Sequence, residues 1–134
     1  MIEKVTYVFL LVRDQQEALT WYTEKLGFDM RANDPFPDNS QKRWITIAPP
    51  GQKEIEIVLQ PPEWGVEGST EERKQIIGKS PGFILRSTDC RKDYEELSAR
   101  GVRFLSPPTE EFWGISAFLV DLYGYEHNLV ESRG

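Results

Sequence analysis

Two hydrophobic rhythms take turns along the chain. Residues 5–12, VTYVFLLV, are rich in β-branched and aromatic side chains and predict a strand. Asp14 then stands as a helix N-cap with Glu17 three positions on, in capping-box spacing. Ala18, Trp21, Tyr22 and Leu26 recur at helical intervals until Gly27 ends the segment. Residues 28–31 predict a short strand, residues 34–41, DPFPDNSQ, a polar loop, and residues 43–48 and 54–60 two strands about the turn Pro49-Pro50-Gly51-Gln52. The order is βαβββ.

The same order begins again after Pro81. Residues 82–88 predict a strand, Asp89 a helix start, Tyr94, Leu97 and Ala99 the helix, and Gly101 its stop. A strand over 102–105 follows, then a Pro-rich loop over 106–114, a strand over 115–121, a turn with Gly124 and a last strand ending at Glu131. Asp14 and Asp89 lie 75 positions apart, and Gly27 and Gly101 lie 74 apart. Two helix boundaries kept at nearly one offset predict an internal duplication. Between the copies, Ser69 and Glu72 have capping spacing for a short helix through Ile77, closed by Gly78, so the connection is expected to be ordered. The expected organisation is one domain over residues 1–134, with module one over about 1–62, the connection over about 61–80 and module two over about 81–134.

Strand alternation assigns faces to these segments. In residues 54–60, Ile55, Ile57 and Leu59 form an apolar face suited to a helix layer, and Glu54, Glu56, Val58 and Gln60 form the other. On the first strand Val8, Leu10 and Val12 turn toward the helix, leaving Val5, Tyr7, Phe9 and Leu11 on the concave side. Phe83, Leu85 and Ser87 are expected to join them from the second module, with Arg86 turned toward the helices. On the last strand Asn128 and Val130 share the concave face with Glu126, and His127 takes the opposite, outward or helix-facing side. The concave surface is then lined by Tyr7, Phe9, Phe83 and Leu85, with Glu56 and Asn128 as polar points and Trp44, Phe112, Trp113 and Phe118 as wall or lid residues. A mostly apolar concavity with few polar groups is the usual make-up of a small-molecule site.

Composition narrows the partners. The 134 residues suffice to bury roughly two-thirds of the unfolded surface. Sixteen Lys and Arg against twenty-two Asp and Glu give a net charge of −6, which repels a phosphate backbone and excludes nucleic acid, while remaining compatible with cationic small molecules. The single cysteine, Cys90, permits no internal disulfide and no Cys-pair zinc site, which fits a reducing cytoplasm. The first apolar run, about eight residues, stops at Arg13-Asp14 and is too short for a signal peptide or a membrane span. A soluble, cytoplasmic protein is expected. No phosphate loop, dinucleotide fingerprint or nucleophile elbow occurs. Cys90 in a first helical turn reads as a small residue, and Trp21-Tyr22 as helix packing.

The segments VRDQQEALTWYTEKLGF, GFILRSTDCRKDYEELSARGV and DLYGYEHNLVE resemble the vicinal oxygen chelate superfamily, which includes glyoxalase I, extradiol dioxygenases, fosfomycin-modifying enzymes and bleomycin resistance proteins. The resemblance covers nearly the whole chain. It implies an α+β fold of two βαβββ modules forming an open, curled mixed sheet around a ligand cavity, often in a homodimer. In metal-dependent members each module supplies two ligands, one on its first strand and one on its last, and the ion polarises neighbouring substrate oxygens. Carried onto this chain, those positions are Tyr7, Glu56, Phe83 after Gly82, and Asn128 four residues past Gly124. One carboxylate among four is a poor donor set for Zn, Ni or Fe, so no cofactor and no divalent metal is expected.

Glu56 is the residue that alternation and resemblance both place in the cavity, where it can meet a ligand cation, accept a hydrogen bond from Tyr7 or Asn128, or act as a general base. The expected function is small-molecule binding without a metal. The alternatives are a metal-dependent lyase or dioxygenase that recruits Glu126 or His127, and a metal-free isomerase with Glu56 as base.

Overall fold

The computed structural model describes residues 1–65 and 68–133, and the chain divides into two compact units, Met1–Ile77 and Gly78–Gly134. The first unit opens on β1 (Tyr7–Leu11), followed by α1 (Gln15–Lys25). Asp14 caps α1 as its spacing predicts: its backbone is extended and its carboxylate accepts the Glu17 N–H at 2.8 Å, which satisfies one of the orphan donors of the first turn. Gly27 follows the last turn at φ 72°, a conformation that only glycine adopts freely.

Three strands complete the unit: β2 (Asp29–Phe36), β3 (Asn39–Ala48) and β4 (Glu56–Gln60), in the sheet order β1-β4-β3-β2. β1 and β4 are parallel, the other pairs antiparallel. Leu10, Val12, Ile45, Ile47, Ile57 and Leu59 are buried together with Ala18, Leu19 and Tyr22 of α1. β3 and β4 are in register only at Thr46↔Val58 and Ile47↔Ile57. Where the two strands part, the Gln15 side-chain amide donates to Arg43 O at 3.0 Å and Leu59 O at 2.9 Å, replacing the missing ladder bonds. A 3-10 turn, Pro62–Trp64, and α2 (Thr70–Ile76) form the connection, with Ser69 at the N-cap position but making no side-chain capping bond.

The second unit runs β5 (Pro81–Arg86), α3 (Cys90–Ala99), β6 (Arg103–Phe104), β7 (Thr109–Glu111), β8 (Gly114–Val120) and β9 (Glu126–Ser132). Its sheet order is β5-β9-β8-β6, with β7 also paired to β8. With β6 and β7, both antiparallel to β8, counted as one interrupted strand, this repeats the order of the first sheet, and β5 and β9 are again parallel. Asp89 caps α3 through the Lys92 N–H at 3.1 Å. The duplicated βαβββ reading is therefore the observed topology, and the fold is α+β with two mixed sheets. No helix among the described residues is long and apolar enough to cross a membrane.

Two predicted loops are strands. Residues 34–41 carry most of a hairpin in which Asp34, Pro35 and Phe36 pair with Trp44, Arg43 and Asn39. Pro35 is accommodated because β2 is an edge strand, where a missing N–H breaks no ladder. Within residues 106–114, β7 and β8 close a hairpin around Phe112-Trp113, with Glu111 opposite Gly114. The prolines that marked this stretch as loop, Pro107 and Pro108, precede β7 and leave its N–H groups intact.

His127 sits on the core face of β9, fully buried, opposite Leu119. Its ring stacks on Phe83 at 5.0 Å and 6°. Nδ1 accepts the Phe83 N–H at 2.9 Å, so the neutral ring carries its proton on Nε2, which faces Asp121 Oδ2 at 3.8 Å. Asp121 Oδ1 in turn accepts the N–H groups of Tyr123 and Tyr125, both at 2.9 Å. β5 bulges between Pro81 and Ile84 to admit this ring, and a Cβ on Gly82 would lie 2.1 Å from Nδ1. Gly82→Ala is expected to destabilise the protein by about 2 kcal/mol through this overlap, and by clearly less in a His127→Ala background where the ring is gone. Urea denaturation of the two single variants and the double variant measures the coupling; equal losses in both backgrounds would remove the ring contact as the cause.

Candidate functional site

The face of the first sheet turned away from α1 carries the sequence-predicted residues of module one. Tyr7 lies opposite Glu56 and Phe9 opposite Val58 in the parallel register. Both rings are exposed, Tyr7 at 48% and Phe9 at 59%, as alternation predicts for a face not covered by the helix. Glu56 is half-buried, and its Oε1 accepts the Thr46 hydroxyl at 2.7 Å. Of the partners anticipated for this carboxylate, Tyr7 and Asn128, neither is the donor seen here; Thr46 on the adjacent strand is.

Trp44, two residues before Thr46 and on its face, makes an edge contact with Tyr7 at 5.4 Å. Its indole lies parallel to Trp64, 6.3 Å between centroids and 2° between planes, and Trp64 meets Phe36 at 5.4 Å. Four aromatic rings thus run in series from β1 to the connection. Trp64 and Phe36 escaped the sequence reading. Phe36 lay in the supposed loop, and Trp64 in a stretch without periodicity, where an isolated tryptophan among polar residues was the one available signal. On the same face Gln60 Oε1 accepts from the Arg73 guanidinium of α2. Gly65 packs on that side chain so closely that a Cβ would lie 2.3 Å from Arg73 Cδ. A cleft of about 310 Å³ opens beside Trp64, with Gln15, Lys42 and Glu63 also among its walls.

The second sheet departs from the predicted facing. Phe83 stacks on buried His127, and Leu85 pairs with Leu129 and packs on the Cys90, Ala117 and Leu129 core, so both belong to the helix side and not to the concave side. Ile84 and Arg86, opposite Asn128 and Val130, take the open face instead. Phe83, Ile84 and Leu85 are all apolar, so hydrophobicity carries no phase here; the phase is set by the chain length into α3. Residues seven before the caps are Tyr7 and Gly82, which makes Ile84 the counterpart of Phe9. Asn128 is on the open face as expected, with Oδ1 accepting the Ser116 hydroxyl at 2.7 Å and Phe118 directly opposite. Trp113 is partly exposed at the β7–β8 turn, its carbonyl accepting the Arg133 N–H. A second cleft of about 370 Å³ lies against Lys79, Ser80, Pro81, Phe118 and Glu126.

The register also revises which positions correspond to the ligands of metal-dependent relatives. Ile84↔Asn128 repeats Phe9↔Val58, and two residues back on each strand, across the β5 bulge, the fourth position is Glu126 and the third is Gly82. Two carboxylates, a phenol and a residue without a side chain do not fit a four-ligand site, and the sole imidazole is committed to the Phe83 backbone. Among the described residues no group of three or more His, Cys, Asp or Glu side chains is placed to hold a metal.

The profile of the Glyoxalase/Bleomycin resistance protein/Dioxygenase superfamily matches residues 4–131. The chain belongs to this superfamily. Among solved structures of the superfamily's fold, UcmS2 is 30% identical with a TM-score of 0.84, covering 97% of this chain and 98% of that one. TnmS3, an antibiotic binding protein from Streptomyces sp. CB03234, is 29% identical with a TM-score of 0.78 and 98% coverage of both chains. An uncharacterised protein of Shewanella frigidimarina (strain NCIMB 400) is 30% identical over 98% of this chain and 95% of its own length.

This superfamily member has one thiol, and the structure takes it out of chemistry. Cys90 is fully buried, its Sγ 3.7 Å from Leu129 O and its N–H given to Glu131 Oε1 at 2.8 Å. Burial first, and the Glu131 carboxylate second, push the thiol up from its ordinary 9.0. The native state therefore holds its proton at pH values where the unfolded chain releases it. The stabilisation is complete below about pH 9 and is lost as pH rises toward the folded value. A disulfide reagent at pH 8 is expected to leave native Cys90 unlabelled and to react fully in urea, and Cys90→Ala should flatten the decline in unfolding free energy above pH 9. Rapid labelling of the native protein would contradict the burial.

Proposed function

We infer that this protein binds a small aromatic molecule of the antibiotic class and holds it without chemistry and without a metal. The observation that carries the reading is the series Tyr7, Trp44, Trp64 and Phe36 on the side of the first sheet turned away from α1, Tyr7 exposed and the other three half-buried, with half-buried Glu56 and buried Thr46 as its polar points. Aromatic rings that keep part of their surface open to solvent can stack on a planar ligand. The 29% identical TnmS3, described as an antibiotic binding protein, and membership of a superfamily that includes bleomycin resistance proteins support that choice of ligand class. The loss of both imidazole positions supports the absence of a metal.

Glu56 favours a second reading, a general base for a metal-free isomerase, because a half-buried carboxylate fixed through one oxygen leaves the other free to take a proton. The two readings separate experimentally. Titration of planar and glycopeptide antibiotics is expected to quench tryptophan fluorescence, with Trp44→Ala weakening binding about tenfold, ~1.4 kcal/mol. Glu56→Gln should alter affinity modestly and abolish nothing. Failure of every antibiotic to quench, together with a metabolite turnover lost in Glu56→Gln, would replace binding by catalysis. Elemental analysis of untagged protein is expected to find transition metal at well below one equivalent; a stoichiometric ion would end the metal-free reading.

A further inference from the structure

The aromatic series ends in a cation site that the chain occupies itself. Phe36 closes β2 and Trp64 closes the 3-10 turn after β4, and their rings meet at 59° to form a V. Lys42, on β3 between them, places Nζ 4.8 Å from the Phe36 centroid and 5.4 Å from the Trp64 centroid. Both distances lie within the roughly 6 Å over which a ring quadrupole attracts a cation. Lys42 has no carboxylate within salt-bridge distance among the described residues, in a chain with twenty-two Asp and Glu. Among the described residues its ammonium is therefore met by rings and not by an ion pair. Beside it lies the cleft of about 310 Å³, walled by Trp64 and Glu63, with far more room than a lysine head needs.

We propose that Phe36 and Trp64 form a binding site for an organic ammonium group, and that Lys42 is a tethered occupant which an incoming ligand displaces. The proposal deepens the small-molecule reading by naming the group recognised: a quaternary or tertiary ammonium, whose body extends into the adjacent cleft. A methylated ammonium holds its hydration shell less tightly than the lysine head and so gives up less on moving from water to the rings. The net charge of −6 raises the local concentration of such cations, and Glu63 adds a carboxylate at the cleft wall. Displacement makes Lys42 a threshold: a ligand must hold the rings better than the built-in amine, which rejects neutral molecules and simple hydrated cations.

The test uses choline and its neutral isostere 3,3-dimethylbutan-1-ol, followed through the Trp64 indole N–H resonance, which Trp64→Leu assigns. Choline is expected to shift that resonance in the wild type and to bind Lys42→Met and Lys42→Gln about fivefold more tightly, the factor recovered when a self-occupied state held about four-fifths of the time is removed. Lys42→Arg should behave as wild type, and the neutral isostere should gain nothing. The proposal is overturned if removing the lysine charge leaves choline binding unchanged, or if the neutral isostere gains as much as choline. The probe is a simple ammonium salt, so these outcomes are independent of the antibiotic titration. A failed titration beside a choline gain retires the antibiotic class alone.

Discussion

In each module the first and last strands lie side by side and parallel, and this pairing decides what the rest of the unit can present. A strand that leaves the sheet, passes through a helix and returns by a hairpin brings its last strand beside its first, and the helix must cover one face of the result. The other face is left to solvent or ligand. In the first unit that register sets Tyr7 beside Glu56 and Phe9 beside Val58. Once it is in place, Trp44 and Thr46 arrive on the same face from β3, and the Gln15 amide holds β3 and β4 where their ladder ends. The Tyr7–Trp44 contact is a consequence of register, and the connection then brings Trp64 onto Trp44 and Phe36.

The second unit keeps the same pairing under a different constraint. A buried imidazole needs an acceptor and a donor, and β5 supplies one of them by giving up a backbone N–H to Nδ1 at Phe83. That exchange takes the N–H out of the ladder, so the strand bulges, and only glycine fits at position 82. The histidine that stood out in the sequence as a possible ligand is thus a structural pin. It trades the chemistry open to an imidazole for the shape of an edge strand.

Helix boundaries were the most legible part of the sequence. Asp14, Asp89, Gly27 and Gly101 each act through a local mechanism, a side-chain acceptor or a left-handed backbone, that needs no tertiary context. Strand faces were legible where polar and apolar residues alternate, as in β4, and illegible in Phe83-Ile84-Leu85, where three apolar residues leave two phases equally hydrophobic. The repeat itself held the answer, since counting seven residues back from each cap aligns Phe9 with Ile84. Hairpins were missed where proline marked them, because Pro35 sits on an edge and Pro107 and Pro108 lie just outside a strand. Trp64 could not be placed from sequence, since its partners come from β2 and β3, brought together only by the sheet.

The internal repeat also fixes which residues stand at the positions that the family resemblance implies as metal ligands. Aligned by register, the last strands of both modules keep a carboxylate, Glu56 and Glu126, while the first strands offer Tyr7 and Gly82. Both last-strand positions thus carry an acid, and neither first-strand position carries an imidazole. A carboxylate's charge is costly beside apolar rings unless it is answered by a donor or a cation. Glu56 is answered in part by the Thr46 hydroxyl, on the sheet face that also carries Tyr7 and Trp44. Such a surface, with an acid at one end and Lys42 held against rings at the other, has the polarity that the proposed aromatic, positively charged ligand requires.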